Sequence, residues 1–360
     1  MTLIILQPPT NDCCEMADWR ISLQHSRSVV NRAGRTLKAG PASRVEYDVV
    51  NNWRGAHGVP MNAIQADLRI AARKIQPNCL LAQRLKRLRS IREKLQRTTL
   101  TLTQIQDIGG CRAVLLKESK ARDLYNRYLE SQRIGHVCWG KNDYVTSPAL
   151  TGYRSFHLKY KYHSNKEENA SYNGMRVEIQ IRSRLQHIWA TAVEMVGAIR
   201  DEPLKSGLGN SDWLRLFQLV GSVMAEREGT APVPNTPTKH KELIDELHHY
   251  ERTLDAINML TGYTAGMRAQ SKGPRPTKRH YFIMELDKKE RKTTIRRYTI
   301  RQLHRALEEF GQLEFELEAN HMDKDIVLVA ADSLQALRRA YPNYHLDTRL
   351  FVEIMRGALA

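Results

Sequence analysis

The sequence predicts an α/β (α+β) protein, strands interleaved with helices and followed by a small C-terminal α+β module. Three observations carry this expectation. Residues 152–160 and 175–182 alternate polar and apolar side chains, which is the period of a strand with one face buried. Capping signals at Ser43 and Ser90, and apolar residues at helical spacing from Leu185 onward, place helices around those strands. Proline-rich breaks at 228–238 and 271–278 divide the chain. The roughly 85 residues after the second break are enough for an independent unit.

The elements follow in order. The opening dozen residues carry no pattern and are expected to be loose. Ser43-Arg44-Val45-Glu46 is a capping box and starts a helix that stops near Gly58. Pro60 opens a second helix, to about residue 75. Residues 79–85 are expected as a strand. Ser90-Ile91-Arg92-Glu93 is another capping box and starts a short basic helix. A buried strand (108–116), a helix (118–131) and a further strand (133–140) come next. Residues 141–151 form a loop around Pro148, and the two alternating strands follow, joined by the polar segment 165–173. Leu185, Ile188, Trp189, Ala192, Val193 and Val196 share one helix face, and another helix is expected near 213–225. Beyond the first break a long polar helix (239–267) is expected to be solvated. The module after the second break reads as a hairpin (281–286 and 293–300), a helix (302–318), a strand (326–330) and helical segments to the end. The expected division is therefore residues 1–227, with the motifs at about 79–200, then 228–272 as linker and long helix, then 273–360.

Composition narrows the class. The 360 residues are 41% hydrophobic and 26% charged, as in a soluble globular chain. Nothing approaches the run of about 18 apolar residues that a membrane span needs, and the apolar start (Leu3 to Leu6) lacks the basic lead of a secretion signal. Five scattered cysteines, with no C-x-x-C spacing, fit neither a disulfide framework nor a zinc site and suit the cytoplasm. The charge is +17, from 56 basic and 39 acidic residues. It is uneven: residues 1–273 hold 40 basic and 26 acidic residues, and residues 274–360 hold 16 and 13. Such a field attracts nucleotides or a nucleic-acid backbone.

The chemistry-bearing residues lie where that charge lies. On the first alternating strand Tyr153, Ser155, His157 and Lys159 share a face; on the second Arg176, Glu178, Gln180 and Arg182 do. Pairing of the two makes a charged floor with one carboxylate among cations, which suits a polyphosphate and a metal ion. Arg84 to Lys94 carries six basic residues and one acid at a strand-to-helix turn, and a helix N-terminus adds partial positive charge and N–H groups for phosphates. Taken alone, that stretch reads equally well as an exposed basic face. Asp107 stands at the edge of a buried strand before Gly109-Gly110, where a ligand can come close. Asp107 and Glu178 together are the two carboxylates that Mg²⁺ commonly takes beside phosphates.

Four stretches, in order, resemble the synthetase domain of the RelA/SpoT homologues in its small, hydrolase-free form. They are Arg84-x-Lys86-x-x-x-Ser90-Ile91-x-x-Lys94, Asp107-Ile108-Gly109-Gly110-Cys111-Arg112, Gly152-Tyr153-Arg154-Ser155-Phe156-His157, and Val177-Glu178-Ile179-Gln180-Ile181-Arg182 with Trp189-Ala190. The resemblance covers about residues 40–200. It implies a nucleotidyltransferase-like mixed sheet and a Mg²⁺-dependent transfer of the β,γ-pyrophosphate of ATP to the 3′-hydroxyl of GDP, GTP or another purine nucleotide, giving a (p)ppGpp-type alarmone and AMP. By the same resemblance Arg84 and Arg112 sandwich the adenine of ATP, Lys86 and Lys94 hold its phosphates, and Asp107 binds the metal. Tyr153 stacks on the acceptor base with His157 beside it. Glu178 is the second metal ligand or the general base, supported by Gln180 and Arg182.

The chain departs from that family pattern in three places. Asn142 precedes Asp143-Tyr144, with the lysine one place earlier at Lys141; Ala149 follows Pro148; and Met195 follows Glu194. The first two remove cations expected on the acceptor side, so they weaken GDP or GTP as acceptor more than ATP as donor. Some toxic relatives pyrophosphorylate the 3′ end of tRNA, and the basic body keeps that alternative open, as it does a non-catalytic nucleotide- or RNA-binding module. For residues 273–360 the open roles are regulation, self-association and binding of an antitoxin that neutralises a toxic activity.

Overall fold

The computed structural model describes residues 3–6 (as backbone), 20–40, 42–130, 135–265, 280–287, 290, 292–320, 322, 324–331, 337, 339, 340 and 348–360. One mixed sheet runs through them. Its strands, in chain order, are β1 (Leu3–Leu6), β2 (Leu80–Leu85), β3 (Gly109–Leu115), β4 (Val137–Asp143), β5 (Phe156–Lys161), β6 (Arg176–Ser183), β7 (His280–Asp287), β8 (Lys292–Thr299) and β9 (Lys324–Ala331). The spatial order is β1-β8-β7-β9-β2-β3-β6-β5-β4. The expected mixed sheet flanked by helices is what the chain forms.

The register builds the floor that alternation predicts. β5 pairs antiparallel with β6, placing His157 opposite Gln180 and Lys159 opposite Glu178. β6 runs parallel to β3, with Glu178 beside Gly110 and Gln180 beside Arg112. β3 pairs antiparallel with β2, with Gly110 opposite Arg84. Paired residues share a sheet face, so Arg84, Arg112, Glu178, Gln180, Arg182 and His157 all stand on one side. Phe156, Leu158, Tyr160, Val177, Ile179 and Ile181 stand on the other and are fully buried, packed on α3 (Gly58–Ile75) and α5 (Glu118–Glu130).

The helices sort around this sheet. A bundle of α1 (Arg27–Ala39), α2 (Arg44–Ala56) and α4 (Leu88–Arg97) shares a small core. The first capping box forms as expected, Ser43 with Glu46. The second does not: α4 starts two residues before Ser90, and Glu93 pairs with Arg89 at 3.1 Å instead. On the site face, α6 (Arg184–Arg200) and α7 (Ser211–Glu228) carry a second core. The long polar helix is two helices, α8 (His240–Leu254) and α9 (Ala256–Ala265), broken at Asp255, whose φ of 46° is left-handed. Nor is it solvated throughout, because Leu243, Leu247 and Leu260 are buried in the core of α6 and α7.

Residues beyond 279 build into the same sheet. β9 lies against β2, with Gln83 opposite Ala330 and Arg84 opposite Val329, and β7 and β8 continue outward. Phe282, Met284 and Val329 join the α6–α7 core, while Ile283, Leu328 and Phe310 of α10 (Leu303–Ala319) join the α3–α5 core. The closing helix, α11 (Arg349–Leu359), packs on α6 and α7 through Phe351 and Met355. The segment expected as a linker is docked: the Val233 amide donates to Ser222 Oγ at 2.9 Å, and Val233 is buried. The second expected break, residues 271–278, lies outside the described residues.

Candidate functional site

Asp107 stands between two ammonium groups. Lys86 Nζ donates to Oδ2 at 2.7 Å and Lys94 Nζ to Oδ1 at 2.8 Å. Lys86 follows β2 directly, and its amide donates to the Ile108 carbonyl at 2.8 Å, which fixes it beside the loop that carries Asp107. Lys94 comes from the second turn of α4. Burial favours the protonated carboxyl of Asp107, but the two lysines outweigh burial and hold it well below the usual carboxylate range.

The basic stretch around those lysines divides in two. Lys86 and Lys94 face Asp107. Arg87, Arg89 and Arg92 face carboxylates elsewhere: Arg87 pairs with Asp325 at 2.7 Å, Arg92 with Glu318, and Arg89 with Glu93 and Asp201. The N-terminus of α4 is occupied as well, since the Leu88 amide donates to Glu314 Oε1 at 3.0 Å. Glu314 and Glu318 lie on α10 and Asp325 on β9. The N–H groups expected to meet phosphate are thus partly spent on the chain itself, and this had no sign in the local sequence because Glu314 lies more than two hundred residues away.

A second chain of contacts centres on His157. Its Nδ1 lies 3.1 Å from Glu178 Oε1, and its Nε2 lies 2.7 Å from the Tyr153 hydroxyl. Gln180 donates to the other Glu178 oxygen at 2.9 Å. Arg182 donates to the Tyr153 hydroxyl and to Gln180 Oε1, both at 2.7 Å, with its guanidinium 5.2 Å from the Tyr153 ring centre. Burial disfavours the imidazolium, but Tyr153 and Glu178 override it and raise His157 to about 9. Burial likewise disfavours a phenolate, yet Arg182, His157 and Lys205 bring Tyr153 down to about 7. Glu178 is lowered although its own burial opposes this: His157 and Gln180 stabilise the carboxylate, and the negative charge of Asp107 works against them. The two carboxylates therefore feel each other across the floor.

Arg84 and Arg112 are brought to the same face. Arg112 is buried, and its guanidinium donates to the Ala340 carbonyl at 3.3 Å; beside it His187 meets the Arg339 carbonyl at 2.9 Å. Two further charged residues join them that the sequence reading passed over. Glu194 of α6 pairs with Lys205 at 2.5 Å, and although burial opposes it, Lys205, Arg84 and Arg112 hold that carboxyl well below its usual range. Tyr144 was also missed as a contact. Its ring meets those of Tyr153 and His157 edge-on at 5.8 and 5.3 Å. Neighbouring Asp143 is a turn residue, accepting from the amides of Val145 and Thr146. Trp189 is packing, as its apolar helix face implies, with Nε1 bonded to the Phe217 carbonyl at 2.8 Å.

Asp107 and Glu178 suit a divalent ion that prefers oxygen. Both are ionised, and a Mg²⁺ ion needs only one or two carboxylates when phosphates and water complete its shell. Among the described residues no cluster of three or more His, Cys, Asp or Glu side chains stands ready to hold a metal without a substrate. No helix among them is long and apolar enough to cross a membrane.

Residues 83–196 match the family model described as the region found in RelA / SpoT proteins. A probable GTP diphosphokinase, RSH3, chloroplastic, from Oryza sativa subsp. japonica is 35% identical over 115 residues, which make up 31% of this chain and 14% of that relative. Among solved structures, small alarmone synthetase 2 from Bacillus subtilis is 18% identical, covering 49% of this chain and 93% of its own, with a TM-score of 0.42. Small alarmone synthetase 1 from the same organism, bound to its product pppGpp, is 20% identical, covering 48% and 90%, with a TM-score of 0.39.

Proposed function

Taking residues 83–196 as the RelA/SpoT region of this chain, we propose that the protein is a pyrophosphokinase that moves the β,γ-pyrophosphate of ATP to the 3′-hydroxyl of a purine nucleotide, a guanine nucleotide foremost. The carrying observation is two carboxylates within electrostatic reach of each other, Asp107 between a pair of lysines and Glu178 on the strand floor beside an aromatic–histidine pair.

Lys86 and Lys94 release Asp107 and take the triphosphate oxygens. Arg84 and Arg112 receive the adenine, Arg112 exchanging its carbonyl partner for the ring. Tyr153 and Tyr144 hold the acceptor base, and His157 orients Glu178. The acceptor oxygen attacks the β-phosphorus and gives up its hydroxyl proton to water, the bond from that phosphorus to the α-bridging oxygen breaks, and AMP leaves with the electron pair. Asp107 and Glu178 would hold Mg²⁺, which when bound neutralises phosphate charge. A general base works best with a pKa near the working pH, and Glu178 is held low, so the ligand role suits it better than the base role. Such transfer needs positioning and charge neutralisation more than covalent help.

The test is transfer from ATP labelled at the γ-phosphate to GDP, GTP, ATP or deacylated tRNA, each offered alone with Mg²⁺. Label should enter a small nucleotide. Glu178→Gln and Asp107→Asn should each lower transfer by about a hundredfold or more, the size of losing one preorganised electrostatic group, with the fold retained by circular dichroism. Full activity in either variant would sink the assignment.

A further inference from the structure

The floor does not end at Glu178. One row farther along β5 and β6, Lys161 stands opposite Arg176, and Val137 of β4 pairs with Lys161. Trp139 sits where the β4–β5 register shifts, between Cys138 and Gly140, and edge bulges re-aim side chains. Its ring lies 4.9 Å from the Arg176 guanidinium and 6.0 Å from Lys161 Nζ. Trp139 is 36% exposed and its neighbour Val137 57% exposed.

The cations here differ from those of α4. Arg87, Arg89 and Arg92 are each paired with carboxylates. Among the described residues, Arg27, Lys159, Lys161 and Arg176 have no carboxylate within salt-bridge distance. Arg27 and Arg176 donate instead to the neutral carbonyls of Asn173 and Gln104. Arg176 feels the positive charge of Arg27 beside it. The edge thus carries four cations uncompensated by acids, two of which, Arg176 and Lys161, flank an exposed indole.

We infer that this edge is a docking strip for a single-stranded polynucleotide. Lys159 and Lys161, two residues apart on one strand and so about 7 Å apart, face successive backbone phosphates with Arg176 and Arg27. A base stacks on the indole that Arg176 and Lys161 hold in place. A duplex offers no free base face. Polyglutamate matches the charge but has no ring to stack. The strip shares the face proposed above for the acceptor, but binding to it does not depend on that reading.

The experiment is binding of a fluorescent single-stranded RNA oligonucleotide, with same-sequence DNA, the RNA duplex and polyglutamate as competitors, to the full chain and to Trp139→Ala and Lys161→Glu. Either single strand should compete, and duplex and polyglutamate should compete poorly. Trp139→Ala should weaken RNA binding about fivefold or more through the lost stack. Lys161→Glu should weaken it and flatten the log–log salt slope by about one for the lost phosphate contact. ATP binding and transfer to a mononucleotide should be unchanged in both variants, which also shows that they fold. RNA binding unaffected by either substitution, or equal competition by polyglutamate, overturns the inference. Failure of transfer with RNA binding intact would count only against the proposed reaction.

Discussion

At the scale of single residues, His157 is the pivot, bonded to Tyr153 through one nitrogen and to Glu178 through the other. The signs of the two large shifts follow from that. Tyr153 is lowered to about 7 from an ordinary value of 10. Its ionised form therefore adds stability that is fully present above 10 and fades as pH falls through about 7. His157 is raised to about 9 from 6.5, so its contribution is complete below 6.5 and is lost as pH rises through about 9. These shifts predict a pH range, roughly 7 to 9, in which a tyrosinate and an imidazolium coexist. A tyrosinate absorbance titration should show one residue ionising near 7. Tyr153→Phe should remove that step, and His157→Phe should move it upward; a low step that survives in Tyr153→Phe would disprove the assignment. This face was legible because strand alternation and antiparallel pairing leave a side chain only two directions. Glu194 with Lys205, and Tyr144, were not, because a helix-to-turn contact and a loop ring have no period to betray them.

At the scale of elements, strands and helices were read closely wherever the period was strong. β3, expected at 108–116, spans Gly109–Leu115, and α5, expected at 118–131, spans Glu118–Glu130. Boundaries failed where a distant side chain replaced the local signal, as at α4, whose N-terminus is capped by Glu314 rather than by a Ser90 box. The apparent single helix at 239–267 failed because one aspartate in a left-handed conformation turns the chain without proline or glycine. The turn into β5 has the opposite character, since it needs its glycine. Gly152 has φ of 93°, and a Cβ there would stand 2.8 Å from Trp189 Cζ2 and 3.2 Å from the Phe217 carbonyl oxygen. Gly152→Ala should cost about 1–3 kcal/mol, read from denaturant unfolding. It should also lower transfer, because Tyr153 is the next residue and Trp189 packs on it at 6.3 Å between ring centres. Unchanged stability would mean that the turn relaxes without strain.

At the scale of the whole molecule, residues beyond 279 contribute three strands to the sheet that carries the site and supply Glu314, Glu318 and Asp325 to its basic helix. Composition and proline breaks suggested a separate small unit because both act locally, and neither records which strand β2 pairs with. We propose instead that residues 1–272 and 273–360 unfold together. Arg54 and Glu314 make the argument quantitative, being a salt bridge whose side chains are 2% and 6% exposed. Glu314→Ala leaves the Arg54 guanidinium buried without that carboxylate and the Leu88 amide without its acceptor. Removing one partner of a buried pair costs about 3–5 kcal/mol, so this variant should unfold markedly earlier. Its calorimetric transition should move as a whole, not split, because the lost contact joins α2, α4 and α10 across the proposed boundary. A chain ending at residue 272 should give no cooperative transition, since the edge of β2 and the apolar face of α7 would lose Val329, Phe282 and Phe351 to water. A sharp transition from that shortened chain, with ATP still bound, would instead restore the two-unit division that composition suggests.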